Sequence, residues 1–311
     1  MTLALAVDIG LTLLVLAVAC WTLAVRDTFT SVIGFVAYGL LLALIWVRLA
    51  APDVALTEAA MGSGLTGLLL LGAAARLQNA KNISAPPGLA LRWVAGVLCA
   101  LVSAGLAAMV LLLPDPAPTL APAVVAHLPA TGLGNPVTGV LLAYRAIDTL
   151  LEAVVLLPAL LGVWSLAADR DWGGAPRLRY HRPDGALTLL AQVLPPFGII
   201  VGIYLCWNGA DQPGGAFQGG AVLAAMWALI LTAGLAEAPP VSRRWLRWLL
   251  VAGSAVFLVI GLAGIGFADA FLAYPAGYAK PLILTIELVL TLSIAVALGL
   301  LIAGPPTRTP S

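Results

Sequence analysis

The chain has 311 residues, of which 62% are hydrophobic and 9% charged, with a formal net charge of +1 and a mean hydropathy of +1.06. Soluble globular domains carry about 25% charged residues, so a soluble domain is excluded, and a net charge this close to zero offers no footprint for nucleic acid. Apolar runs near the length of a bilayer span, rich in Leu, Val, Ala and Gly, point to an all-α integral membrane protein and not to a barrel of short alternating strands.

The pattern predicts nine spans. The first, about Leu3 to Val25, has no basic residue before it and is longer than a cleavable signal segment, so it reads as a retained helix. The second covers about Phe29 to Val47. The third opens at Ala51-Pro52-Asp53, where Pro in the first helical turn costs no hydrogen bond, and continues to about Ala75. A Pro/Gly/Asn linker, NAKNISAPPG, leads to the fourth, about Trp93 to Leu113, and a long proline-rich loop follows.

The fifth span, Asn135 to Leu166, is the most informative. It is long enough to cross a bilayer, yet Arg145, Asp148 and Glu152 lie inside it, each costing about 2.5–3.5 kcal/mol at a helix centre when ionised. Spacings of three and four put them on one helical face, which must look at a partner helix or at water. Pro158 is expected to kink the far end. A polar connection, DRDWGGAPRLRYHRPDG, precedes the sixth span, about Ala186 to Trp207. The seventh covers about Ala216 to Leu235, the eighth about Trp248 to Phe267 and the ninth about Pro281 to Ile302.

With the N-terminus outside and the C-terminus cytoplasmic, twelve of the fifteen basic residues fall on the inner side, as the positive-inside rule requires. The three cysteines, Cys20, Cys99 and Cys206, sit in apolar runs without CxxC spacing. The two histidines, His127 and His181, fall between runs, so no resident metal or other cofactor is expected.

Intramembrane polar residues are the candidates for function. On the third span Glu58 lies about 10 Å from the outer end at 1.5 Å per residue, near Asp53 and Thr57, and the Met61–Gly67 segment that follows favours close helix approach and weakens the helix locally. On the fifth, an Arg145–Asp148 ion pair would leave Glu152 over. A carboxylate held away from water favours its neutral form, which suits a proton carrier. Thr149 and Tyr144 add hydroxyls to a relay. On the ninth, Lys280 and Glu287 are seven apart and share a face, as a relay pair or as a static salt bridge, with Thr285 and Thr291 beside the carboxylate. The segment NGADQPGGAFQGG lacks the Lys-Ser or Lys-Thr of a phosphate loop. Here Asp211 is expected to cap the seventh helix and Pro213 to start it. Gly214, Gly215, Gly219 and Gly220, with Phe217 among them, serve tight packing or line an ion path.

Three segments together resemble a known family. APDVALTEAAMGSGLTGLLLL, residues 51 to 71, resembles the MbhD-type domain, also found in the C-terminal part of the large Mrp antiporter subunit. NPVTGVLLAYRAIDTLLEAVVLL, residues 135 to 157, is similar to the MbhE-type domain through Arg145, Asp148, Thr149 and Glu152. PGGAFQGG, residues 213 to 220, with helices after it, resembles the MnhB/MrpB subunit. The resemblance implies an MbhD-like domain over 1–82, an MbhE-like domain over 83–167 and an MnhB-like domain over 168–311. It implies a non-enzymatic subunit of a multi-subunit Mrp-type Na+/H+ antiporter in a prokaryotic cell membrane, moving Na+ and H+ and partnered by a large antiporter-like subunit and small membrane subunits. An ion-pumping subunit of a redox-driven hydrogenase or complex I-like enzyme is the alternative, and a scaffold whose buried charges are all structural is another. The implied ion or proton pathway comprises Glu58, Arg145, Asp148, Thr149, Glu152, Lys280 and Glu287.

Overall fold

α1 (Leu3–Ala24) and α2 (Thr28–Arg48) form a hairpin whose turn is closed by Asp27, which accepts the Thr30 N–H at 2.8 Å and so caps α2. The Thr30 hydroxyl, and after it this N–H, hold the Asp27 carboxyl below its usual range. At the other end of the hairpin Asp8 pairs with Arg48 at 2.8 Å. In this computed structural model residues 3–78, 88–176 and 185–307 are described. Most of the NAKNISAPPG linker, the expected boundary at 82/83 and the 177–184 part of the basic connection, with His181, lie outside them.

The third span begins, as the sequence predicts, with Pro52 in its first turn, but it is not uniformly α-helical. α3 (Pro52–Thr57) widens into a π-helical segment, Glu58–Leu65, before resuming as α4 (Thr66–Gln78). Stretches of π-helix this long are uncommon and concentrate at functional sites. The segment lies flush against α2, because a side chain added at Gly39 would collide with Ser63 and approach Glu58. α5 (Leu89–Leu112) contributes no buried residue. The proline-rich loop contains a short helix, α6 (Ala121–His127).

The fifth span is broken, which corrects the expectation of one continuous helix. α7 (Pro136–Gly139) passes into a π-helical segment, Val140–Tyr144. Arg145 then leaves helical geometry at φ −130°, ψ 37°, and α8 (Ala146–Trp164) starts afresh. Pro158 lies inside α8.

α9 (Ala186–Asn208), α10 (Ala216–Thr232), α11 (Arg244–Phe267) and α12 (Ala279–Ala303) make the densest part of the molecule. α12 is its mast, with α8, α9, α10 and α11 packed around it. Ile283, Ile286, Leu290, Ile294 and Leu298 recur every three or four residues and are essentially inaccessible. Among the described residues eight helices are long and apolar enough to cross a membrane, and α10, at 17 residues, is a shorter apolar helix at the low end of spanning length.

The helix ends gather on two opposite faces. On one meet Asp53, Asn135, the 209–215 turn and Lys280. On the other a two-residue strand β1 (Ala175–Pro176) pairs antiparallel with β2 (Pro306–Thr307), and the Val241 N–H donates to the Gly174 carbonyl at 2.9 Å.

Candidate functional site

The face carrying Asp53 and the 209–215 turn leads into a cavity of about 340 Å³. The third span supplies Asp53, Thr57 and Met61 to its wall, the broken fifth span Val137, Thr138, Thr149 and Glu152, the turn and α10 Gly214 to Gln218, and α12 Glu287 and Leu290. All three sequence segments with a family resemblance converge on one space.

Its rim is built around Asp53, 7% exposed. The carboxylate accepts the Gly214 N–H at 3.0 Å and the Asn135 side-chain amide at 3.3 Å. Asn135 is itself fixed: its oxygen caps α7 through the Val137 N–H at 2.9 Å, while its amide also donates to the carbonyls of Gly209 and Gln212. The Thr138 hydroxyl donates to the same Gly209 carbonyl at 2.6 Å. The turn needs glycine here because Gly214 has φ +153° and Gly215 φ +129°, and a side chain on Gly214 would meet the Leu205 carbonyl. Lower down, the Gln218 amide donates to the Thr57 hydroxyl at 3.0 Å, joining α10 to α3.

The break in the fifth span exposes carbonyls that a continuous helix would satisfy internally. Two are recovered by hydroxyls: Thr149 donates to the Leu141 carbonyl at 2.6 Å and Tyr274, from the turn between α11 and α12, to the Leu142 carbonyl at 2.7 Å. Burial pushes the Tyr274 phenol up from its usual value, so it remains a donor. These two bonds stabilise a broken helix inside an apolar bundle, where an unsatisfied carbonyl is costly.

The acidic groups of the cavity have unequal partners. Asp53 is hydrogen-bonded twice. Glu152 lies on the wall and keeps part of its side chain exposed. Glu287 is 3% exposed, receives the Ala216 N–H at the start of α10, and keeps its Oε2 buried without a hydrogen-bond partner. Among the described residues no Lys, Arg or His lines the cavity. A site with oxygen ligands and excess negative charge is suited to protons and hard cations.

The remaining predicted residues are placed elsewhere. Glu58 heads the π-helical segment and folds back on Gly62 beside α2, away from the cavity wall. Arg145 and Asp148 do form the expected pair, at 2.6 Å, but their side chains are 72% and 49% exposed on the outside of the chain. Asp148 and Glu152 lie one turn apart on α8 and share its face, but only Glu152 lines the cavity, and the Arg145–Asp148 pair lies outside the wall. Lys280 does not pair with Glu287: it reaches both oxygens of Asp211, at 2.6 and 2.7 Å, across the rim. Asp211 also accepts the Gly134 N–H, and it caps no helix. α10 starts at Ala216 from Gly215, three residues beyond Pro213. Phe217 packs on the core, Gly219 abuts Gly202 of α9, and Gly220 abuts Ile294 of α12.

Asp53, Asn135, Gln218 and Tyr274 were not recognisable as site residues from their spacing. The available signals were an Asp directly after the helix-opening Pro52 and an Asn directly before Pro136, both of which read as ordinary helix starts.

Residues 11–79 match the MbhD family of MBH subunits, and residues 186–305 match the MnhB family, described as a "Domain related to MnhB subunit of Na+/H+ antiporter". An uncharacterized protein of Methanocaldococcus jannaschii is 29% identical over 147 residues, 42% of this chain and 56% of that protein, so the chain spans little more than half of that relative. Among solved structures, the Mrp complex from a Dietzia species contains a chain with a TM-score of 0.72 at 23% identity, covering 97% of this chain and 35% of its own length. A chain of the membrane-bound sulfane sulfur reductase, an archaeal respiratory membrane complex, has a TM-score of 0.55 at 24% identity, over 68% of this chain and 97% of its own length. At these identities the likeness is one of fold.

Proposed function

Because this polypeptide joins an MbhD domain to a domain related to MnhB, in that order, we propose that it is a membrane subunit of an Mrp-type Na+/H+ antiporter complex. The 340 Å³ cavity is part of the complex's ion or proton pathway. The single observation that carries this reading is the convergence of Asp53, Glu152 and Glu287, from three segments of the chain, on one space without a basic counter-charge. The middle segment acts as an MbhE-like part between the two matched domains. The chain contributes no catalytic residue and works with a large antiporter-like subunit and small membrane subunits in a prokaryotic cell membrane. Its N-terminus lies outside and its C-terminus in the cytoplasm, and the rim at Asp53 opens to the outside.

Glu152→Gln in the assembled complex, reconstituted into vesicles, tests this. Loss of one positioned proton carrier should lower sodium- and proton-gradient exchange by about tenfold or more with normal subunit composition. Full exchange would overturn the reading, and loss of assembly instead of exchange would favour a scaffold. A redox-driven complex is the second reading, favoured by the fold match over 97% of the sulfane sulfur reductase chain. Co-purified subunits bearing iron–sulfur clusters would decide for it.

A further inference from the structure

Glu287 differs from every other acid among the described residues in having an oxygen that is buried, unpartnered and set in a cavity wall. Its Oε2 makes no hydrogen bond although the side chain is 3% exposed. Its carboxylate also takes the Ala216 N–H, the first of α10, where the helix dipole favours a negative charge. A buried oxygen left in this condition is costly, more so when the group is charged, and a bound proton or cation would relieve that cost.

The neighbouring backbone leaves room for a ligand. The space that a side chain on Gly215 would fill lies 3.2 Å from Glu287 Oε1 and 3.3 Å from Gln218 Oε1. Gly215, held at φ +129° by the turn, keeps that space open. Across the cavity stand the Thr57 hydroxyl, which already accepts from Gln218, and the Glu152 carboxylate. All of these are oxygen donors, and together they suit a hard cation of single charge better than a soft or redox-active metal.

We propose that Glu287 is an exchange site at which one proton and one monovalent cation compete for the same carboxylate, the cation being shared with Gln218 Oε1 and the oxygens across the cavity. Charge is conserved because a cation enters as the proton leaves. The groups that bias the competition are few. Asp53 from α3 and Glu152 from α8 line the same cavity, and Cys206 of α9 is reached through the Thr291 hydroxyl one turn along α12. α10 carries no titratable side chain, those of α11 are Arg244 and Arg247 in its first turn, and Lys280 is spent on Asp211. Among the described residues of the cavity wall no fixed cation competes with the mobile one.

The inference rests on the pathway reading above but is tested separately, by labelling instead of transport. A hydrophobic carbodiimide reacts with protonated buried carboxyls. The wild-type complex is treated with dicyclohexylcarbodiimide at several pH values in choline, potassium, lithium or sodium chloride, and the Glu287 and Glu152 peptides are quantified by mass spectrometry. Labelling of Glu287 should fall about tenfold when the preferred cation is present at ten times its dissociation constant, and less cation should be needed as pH rises, the signature of competition. Glu287→Gln should abolish label on its own peptide only. Label at Glu287 that ignores every cation would overturn the inference while leaving a working antiporter reading intact. Cation-protected label in a complex that exchanges nothing would support the inference and count against that reading.

Discussion

The Arg145–Asp148 pair and the cavity at Glu287 handle intramembrane charge in opposite ways. At the first, two opposite charges meet at 2.6 Å on an exposed surface and neutralise each other. At the second, carboxylates from three segments face one space and none has a cationic partner. A closed pair has no capacity left for a mobile ion, whereas a carboxylate with a free buried oxygen has. In the proposed reading the pair faces lipid or a neighbouring subunit and the cavity serves exchange, although both regions include residues of one helix, α8.

The comparison can be broken at the rim. Asp53→Ala removes the acceptor of the buried Gly214 N–H and of the Asn135 amide and should lower stability by about 2–3 kcal/mol, read as an earlier thermal transition of the detergent-solubilised protein. An unchanged transition would show that the three segments are not joined there. Next in size is Thr149→Val, which keeps shape but leaves the Leu141 carbonyl without its hydroxyl donor. About 1 kcal/mol is expected, and none if the helix break is held by packing alone. Smallest is Lys280→Ala, which opens the half-exposed pair with Asp211. It should cost about 0.2–1 kcal/mol, and an effect as large as that of Asp53→Ala would move the structural centre of the rim from Asp53 to Asp211.

Much of the fold was legible because span length and hydropathy are local properties. The third span starting at Pro52 and the broad apolar run of α12 both follow from the sequence. The site was legible only in part. Glu152 and Glu287 stand out because a carboxylate in an apolar run has few cheap explanations. The Arg145–Asp148 pair was legible from its spacing of three, but the other partners did not follow, because their choice depends on backbone irregularity. Arg145 stands at the break and pairs with Asp148 outside the cavity wall, and the 209–215 turn brings Asp211 to Lys280 in place of Glu287. Helical periodicity assumes an unbroken helix, so it holds for Asp148 and Glu152 within α8 and fails for Arg145, which stands at the break. Asp53 was noted only as a neighbour of Glu58, because a helix-opening carboxylate has a sufficient local role, and its bonds to Asn135 and Gly214 join residues 82 and 161 positions apart.

The most direct measurement sets the two regions against each other in one assay: sodium- and proton-gradient exchange by reconstituted complexes carrying either Glu287→Gln or the double change Arg145→Ala with Asp148→Ala, normalised to assembled complex. The account predicts that Glu287→Gln lowers exchange by about tenfold or more with assembly intact, and that the double change lowers the amount of complex while exchange per assembled complex is retained. Normal exchange with Glu287→Gln, together with loss of exchange per complex in the double change, would place the pathway on the outer pair and contradict the account.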